Sequence, residues 1–111
     1  PARGSSLPLV AGGRSSGARV ACRTADAAGA VAVVALAFPL HPPGRPDRTR
    51  IEELGQPSVP ILVVQGERDP FGMPPRDEVD TLVVVAGADH SLKKDTAAVA
   101  EAVVTFVCRL T

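Results

Sequence analysis

The chain has no tryptophan, no tyrosine and only three phenylalanines, so it lacks the aromatic platforms on which single-stranded bases stack. Charge of one sign is missing too. Twelve basic and twelve acidic residues cancel, which leaves no electrostatic footprint for nucleic acid or an anionic membrane. Cysteine is scarce: Cys22 and Cys108 lie far apart and neither belongs to a CxxC pair. A disulfide framework and a zinc site are therefore not expected, and both residues read as buried, reduced thiols of a cytoplasmic protein. The longest apolar run, AVAVVALAFPL, is too short to span a bilayer and contains Pro39. No apolar leader follows Pro1-Ala2-Arg3, so a signal peptide is not expected either. The chain opens without methionine and runs almost at once into apolar sequence, as expected of a chain that begins inside a domain.

What is present suits one small folded domain, residues 1–111. The 45% hydrophobic content is ordinary for a globular core, and 22% charged residues argue against disorder. Four apolar runs stand out: LPLVA from Leu7, AVAVVALAF from Ala30, ILVVQ from Ile61 and TLVVVAG from Thr81. Their lack of polar alternation predicts strands buried on both faces, which means a parallel sheet of about four strands flanked by helices. SSGARVACRTADAA predicts a helix between the first two strands. DTAAVAEAVVTFVCRL predicts a last helix capped by Asp95, with Val99, Val103, Phe106, Val107 and Leu110 as its apolar stripe. Two long Pro- and Gly-rich connectors separate the middle strands, with a short helix expected around Thr49–Leu54 and one turn in the second connector. The fold class is α/β.

In a parallel sheet all strand C-termini share one edge, where ligands bind. The polar residues just beyond the four runs are Ser15 and Ser16, then His41, then Glu67 and Asp69, then Asp89 and His90. GRSSG places Ser15 between Gly13 and Gly17, after a predicted strand and before a predicted helix. This is the spacing of a nucleophile elbow, in which the flanking glycines let strand and helix approach. Ser16 cannot take that part, because Arg14 stands at its upstream glycine position. A phosphate loop fails, since Ala18-Arg19 replaces the Lys-Ser/Thr pair that grips phosphate, and a dinucleotide fingerprint does not register. The bland reading of Ser15 is a helix cap.

A serine nucleophile needs a base and an acid that orients the base. Asp69 in QGERDP and His90 in AGADHS follow the third and fourth runs, giving the chain order Ser15, Asp69, His90. Glu67 is an alternative acid. Asp89 is a poor one, since it neighbours His90 along the loop. His41 lines the site or packs a loop, Arg14 meets a substrate carboxylate or solvent, and Lys93 and Lys94 read as solvated charge.

The elbow, VVQGERDPFG and GADHS together resemble the C-terminal half of the α/β-hydrolase superfamily. FPLHPPGRP after the second run is similar to the small dienelactone-hydrolase-like branch. The likeness covers essentially the whole chain and puts Ser15, Asp69 and His90 on the triad positions. SSGAR departs from the bulkier residue and second glycine that members often carry after the serine. The resemblance implies that the four runs are the last four of eight strands. It further implies that the loop giving the second oxyanion N–H belongs to an earlier half, leaving the N–H of Ser16 as the donor here, and that the first strand exposes an edge open to self-association. The function implied is a serine hydrolase that cleaves a small-molecule ester, lactone or thioester, with no metal or organic cofactor. The alternative is a non-catalytic binding module or inactive fragment of the same fold.

Overall fold

A computed structural model describes residues 8–110. Its sheet holds four strands in the order β1-β2-β3-β4, all parallel: β1 (Val10–Arg14), β2 (Ala32–Leu36), β3 (Ile61–Gly66) and β4 (Thr81–Val85). Three α-helices accompany them: α1 (Ser16–Ala28), the one-turn α2 (Ile51–Leu54) and α3 (Thr96–Cys108). The α/β class and the parallel pairing are as expected from the unbroken apolar runs. β1 starts three residues later than the run that suggested it and continues through Gly12 and Gly13 to Arg14. Leu7, where that run began, lies outside the described residues.

Alternate residues of each strand feed two cores. Val33 and Ala35 of β2, Ile61 and Val63 of β3 and Leu82 of β4 face α1 and α2. Ala32, Val34, Leu62, Val64 and Val85 face α3. The period of two explains why central strands need apolar residues at every position when helices cover both faces. α1 buries Ala18, Ala21, Cys22 and Ala25, a stripe at spacings of three and four built from small side chains, so its backbone lies close on the sheet. On α3, Asp95 caps the first turn by accepting the Ala98 N–H at 3.0 Å. Phe106 is buried there, and Val99, Ala102, Val103 and Leu110 pack beside it.

Two expectations for this helix need correction. Val107 is exposed, because the position next to Phe106 turns about 100° away from the sheet in a helix of ~3.6 residues per turn. Cys108 is exposed as well, whereas Cys22 is buried as expected. Burial beneath α1 raises the Cys22 thiol to about 11, which makes it unreactive.

Where β2 and β3 end, one buried polar side chain ties the loops together. Gln65 is fully buried. Its Oε1 accepts the Phe38 N–H at 2.9 Å, while its Nε2 donates to Phe38 O at 2.8 Å and Gly72 O at 2.7 Å. Three backbone groups thus depend on one amide, and an orphaned buried polar group costs about 1–3 kcal/mol. Gln65→Leu is expected to lower unfolding stability by about 2–4 kcal/mol in a urea titration.

α1 and α2 are joined by a bidentate ion pair. Arg19 Nε and Nη2 donate to the two carboxylate oxygens of Glu53, each at 2.9 Å. The Arg19 hydrogen bond holds the Glu53 carboxyl below its ordinary 4.5, against a smaller opposing effect of burial. A depressed carboxylate stabilises the fold above its unfolded value and loses that contribution as pH falls through the lower folded value. Stability is therefore expected to drop as pH falls below about 4.5, and Glu53→Gln should flatten that part of the profile in thermal melts across pH.

Candidate active site

Ser15 follows β1 without a loop. Its N–H still donates to Leu36 O of β2 at 2.9 Å, so the sheet ladder holds the residue at the turn. There the backbone reverses into α1 at φ 55°, ψ −121°, a conformation that strains a residue with a side chain. Turn and helix meet so closely that a Cβ on Gly13 would lie 2.1 Å from Gly17 O. Only glycine fits there. The expected second requirement, at Gly17, is not found: a Cβ on it meets nothing within 4 Å. Gly17 contributes the backbone that Gly13 must avoid, not the space.

The strain leaves Ser15 at the N-cap of α1, yet its hydroxyl makes no capping hydrogen bond. The cap is supplied by backbone: Ser15 O accepts the Ala18 N–H at 2.9 Å. Serine at an N-cap ordinarily turns its oxygen onto the helix. Here the Oγ lies 2.8 Å from His90 Nε2, and the bland reading of Ser15 as a cap fails. Ser16 N–H opens the helix and has no intrahelical carbonyl to accept it.

Asp69 and His90 arrive from the next strand ends. Asp69 lies three residues beyond β3, its side chain fully buried, and its Oδ2 is 2.8 Å from His90 Nδ1. Its other oxygen accepts the Phe71 N–H at 2.8 Å. An ionised carboxylate can only accept, so Nδ1 carries the imidazole proton and Nε2 is left to accept from the Ser15 hydroxyl. The His90 loop can sit this near because Gly66 ends β3: a Cβ there would lie 2.4 Å from Asp89 O and 2.5 Å from Ala88 O. Arg14 Nη2 donates to Ser91 O at 2.6 Å, fastening the elbow to the same loop.

The competing residues fall elsewhere. Glu67 is exposed and accepts the Gly87 N–H at 2.8 Å, which bridges two loop backbones away from the imidazole. Asp89 closes its own turn by accepting from Ser91 Oγ at 2.6 Å and Ser91 N at 2.9 Å. Those bonds, the hydroxyl first, lower its pKa from the ordinary carboxylate value. His41 donates from Nδ1 to Pro42 O at 2.8 Å and rests against Gly72, a loop-packing role. Lys93 and Lys94 are exposed, as expected of solvated charge. Among the described residues no group of three or more His, Cys, Asp or Glu side chains could hold a metal. No described helix is long and apolar enough to cross a membrane.

Two residues of the site escaped the reading of the sequence. Gln65 was a polar residue at the end of an otherwise apolar buried run, which is the one signal that marks it. Phe71 stacks on His90 with ring centroids 4.2 Å apart and planes at 31°. Its rarity in a chain with three phenylalanines, two positions after Asp69, was the available clue.

The parallel sheet, the strained serine elbow and an acid and a histidine on later strand ends together define an α/β-hydrolase fold. A model of the α/β-hydrolase domain family matches residues 2–104, and the chain belongs to that family. Two solved structures share the fold. An alpha-beta serine hydrolase homologue from Coxiella burnetii is 21% identical with a TM-score of 0.58, over 94% of this chain and 50% of that one. A protein described as a YdeN-like hydrolase from Pectobacterium atrosepticum is 24% identical with a TM-score of 0.56, over 91% of this chain and 61% of that one. The chain thus spans about half to three-fifths of the length of these neighbours. No curated protein matches it in sequence.

Proposed function

We propose that this domain is the nucleophile-bearing part of a serine hydrolase that cleaves a small-molecule ester, lactone or thioester through an acyl-enzyme. The observation that carries the reading is the unbroken hydrogen-bond chain from Ser15 Oγ through His90 to Asp69, 2.8 Å at each link. It starts from a serine whose hydroxyl the helix does not use.

In this reading Ser15 Oγ attacks the substrate carbonyl carbon while His90 Nε2 takes the hydroxyl proton. Asp69 keeps the proton-bearing Nδ1 in place and stabilises the imidazolium as it forms. The carbonyl oxygen becomes an oxyanion, which the N–H of Ser16 and the positive end of α1 stabilise. Collapse of the tetrahedral intermediate expels the alcohol, thiol or ring oxygen, which takes the proton from Nε2. Water, deprotonated by the same nitrogen, then releases the acid and regenerates the serine.

Intact-mass spectrometry during turnover of a p-nitrophenyl ester tests this. The expected result is a protein population heavier by one acyl group, attached to the peptide that contains Ser15. Hydrolysis without any acylated protein would count against covalent catalysis.

A further inference from the structure

We propose that Phe71 is a positioning residue for His90, holding the imidazole plane in line and keeping water from the bond to Asp69. The inference rests on the hydrolase reading above and adds a residue to it. The two hydrogen bonds of the imidazole, Nε2 with Ser15 and Nδ1 with Asp69, both lie in the ring plane. Rolling the ring about the axis through these nitrogens bends both bonds away from linearity and weakens them, and small rolls are opposed only softly because a hydrogen bond tolerates modest bending. A flat surface against one face stops the roll. The Phe71 ring supplies it, 4.2 Å away and inclined by 31°.

The backbone that carries this ring is tied down on both sides. The Phe71 N–H donates to Asp69 Oδ1 at 2.8 Å, and the Phe71 carbonyl accepts the His41 N–H at 3.0 Å. The next residue's carbonyl accepts from Gln65 Nε2 at 2.7 Å. One residue therefore orients the acid through its backbone and the base through its ring. The imidazole is 23% exposed and the Asp69 side chain is fully covered, so an aromatic ring lying against one imidazole face stands between solvent and the Nδ1–Asp69 bond in the proposed role.

Phe71→Leu removes the flat face but keeps an apolar side chain, and Phe71→Tyr keeps the face. Both leave the backbone bond to Asp69. The first readout is labelling of the full chain by a fluorophosphonate, resolved into a saturating rate constant and a half-saturation concentration. Phe71→Leu should lower the rate constant about 3- to 10-fold, the loss expected on deleting an aromatic pair, and leave half-saturation unchanged. Phe71→Tyr should restore the rate. The second readout needs no activity: the downfield proton NMR signal of Nδ1–H should persist in the wild type and Phe71→Tyr and broaden in Phe71→Leu. If Phe71→Leu does not fold, Phe71→Met carries the same expectations.

Equal rates and equal Nδ1–H signals in wild type and Phe71→Leu would overturn the proposal, as would equal losses in Phe71→Leu and Phe71→Tyr. Undiminished labelling of His90→Ala would instead overturn the hydrolase reading, and the NMR comparison still judges Phe71.

Discussion

Ser15→Ala is expected to lower ester turnover about 10⁶-fold, the scale of loss when a triad nucleophile is removed. The hydroxyl is the only group of the elbow aimed at His90 Nε2, at 2.8 Å, and Ser16 cannot replace it because its backbone already belongs to α1. The fold should tolerate the change. Ser15 Oγ makes no capping bond, so alanine removes no helix contact, and because it keeps the Cβ it leaves the strain at φ 55° as it is. Steady-state kinetics with thermal unfolding of the same sample checks both halves. Turnover within about tenfold of wild type in a folded Ser15→Ala protein would mean that water, not serine, attacks the substrate.

Asp69→Asn is expected to cost about 10⁴-fold in kcat with little change in the fold. The reason is the tautomer. In the variant the amide oxygen takes the place of Oδ1 and accepts the Phe71 N–H, as the carboxylate does at 2.8 Å. The amide nitrogen then faces His90 Nδ1 and donates to it, so the imidazole proton moves to Nε2. A protonated Nε2 cannot accept from Ser15, and the base is lost while every heavy atom keeps its place. A loss below about tenfold would show that another acid, with Glu67 the nearest in sequence, can orient the histidine.

Much of this was legible because the candidate site residues sit at strand ends. Continuous apolar runs such as AVVAL and ILVVQG can be central strands of a covered parallel sheet and little else of that length. Once the sheet is parallel, Ser15, Asp69 and His90 must gather at one edge. The two glycines of GRSSG looked equivalent in sequence, and only the packing separates them. Gly13 faces the backbone of the next turn, while Gly17 faces open space. Val107 and Cys108 were misplaced because α3 is apolar on more than its buried face: Val104 is 60% exposed on the same helix, so hydropathy alone does not fix its rotation. Gln65 and Phe71 were missed for a different reason. Their partners, Phe38, Gly72 and His90, come from loops whose approach no local pattern encodes.

In the proposed mechanism Ser15 is a nucleophile activated by His90 and Asp69. Fluorophosphonate labelling of the wild-type chain, followed by peptide-resolved mass spectrometry, tests it most directly. A single phosphonyl adduct on Ser15 that disappears in His90→Ala is expected. An adduct on Ser16 or another residue, or one on Ser15 that forms equally fast without His90, would contradict it.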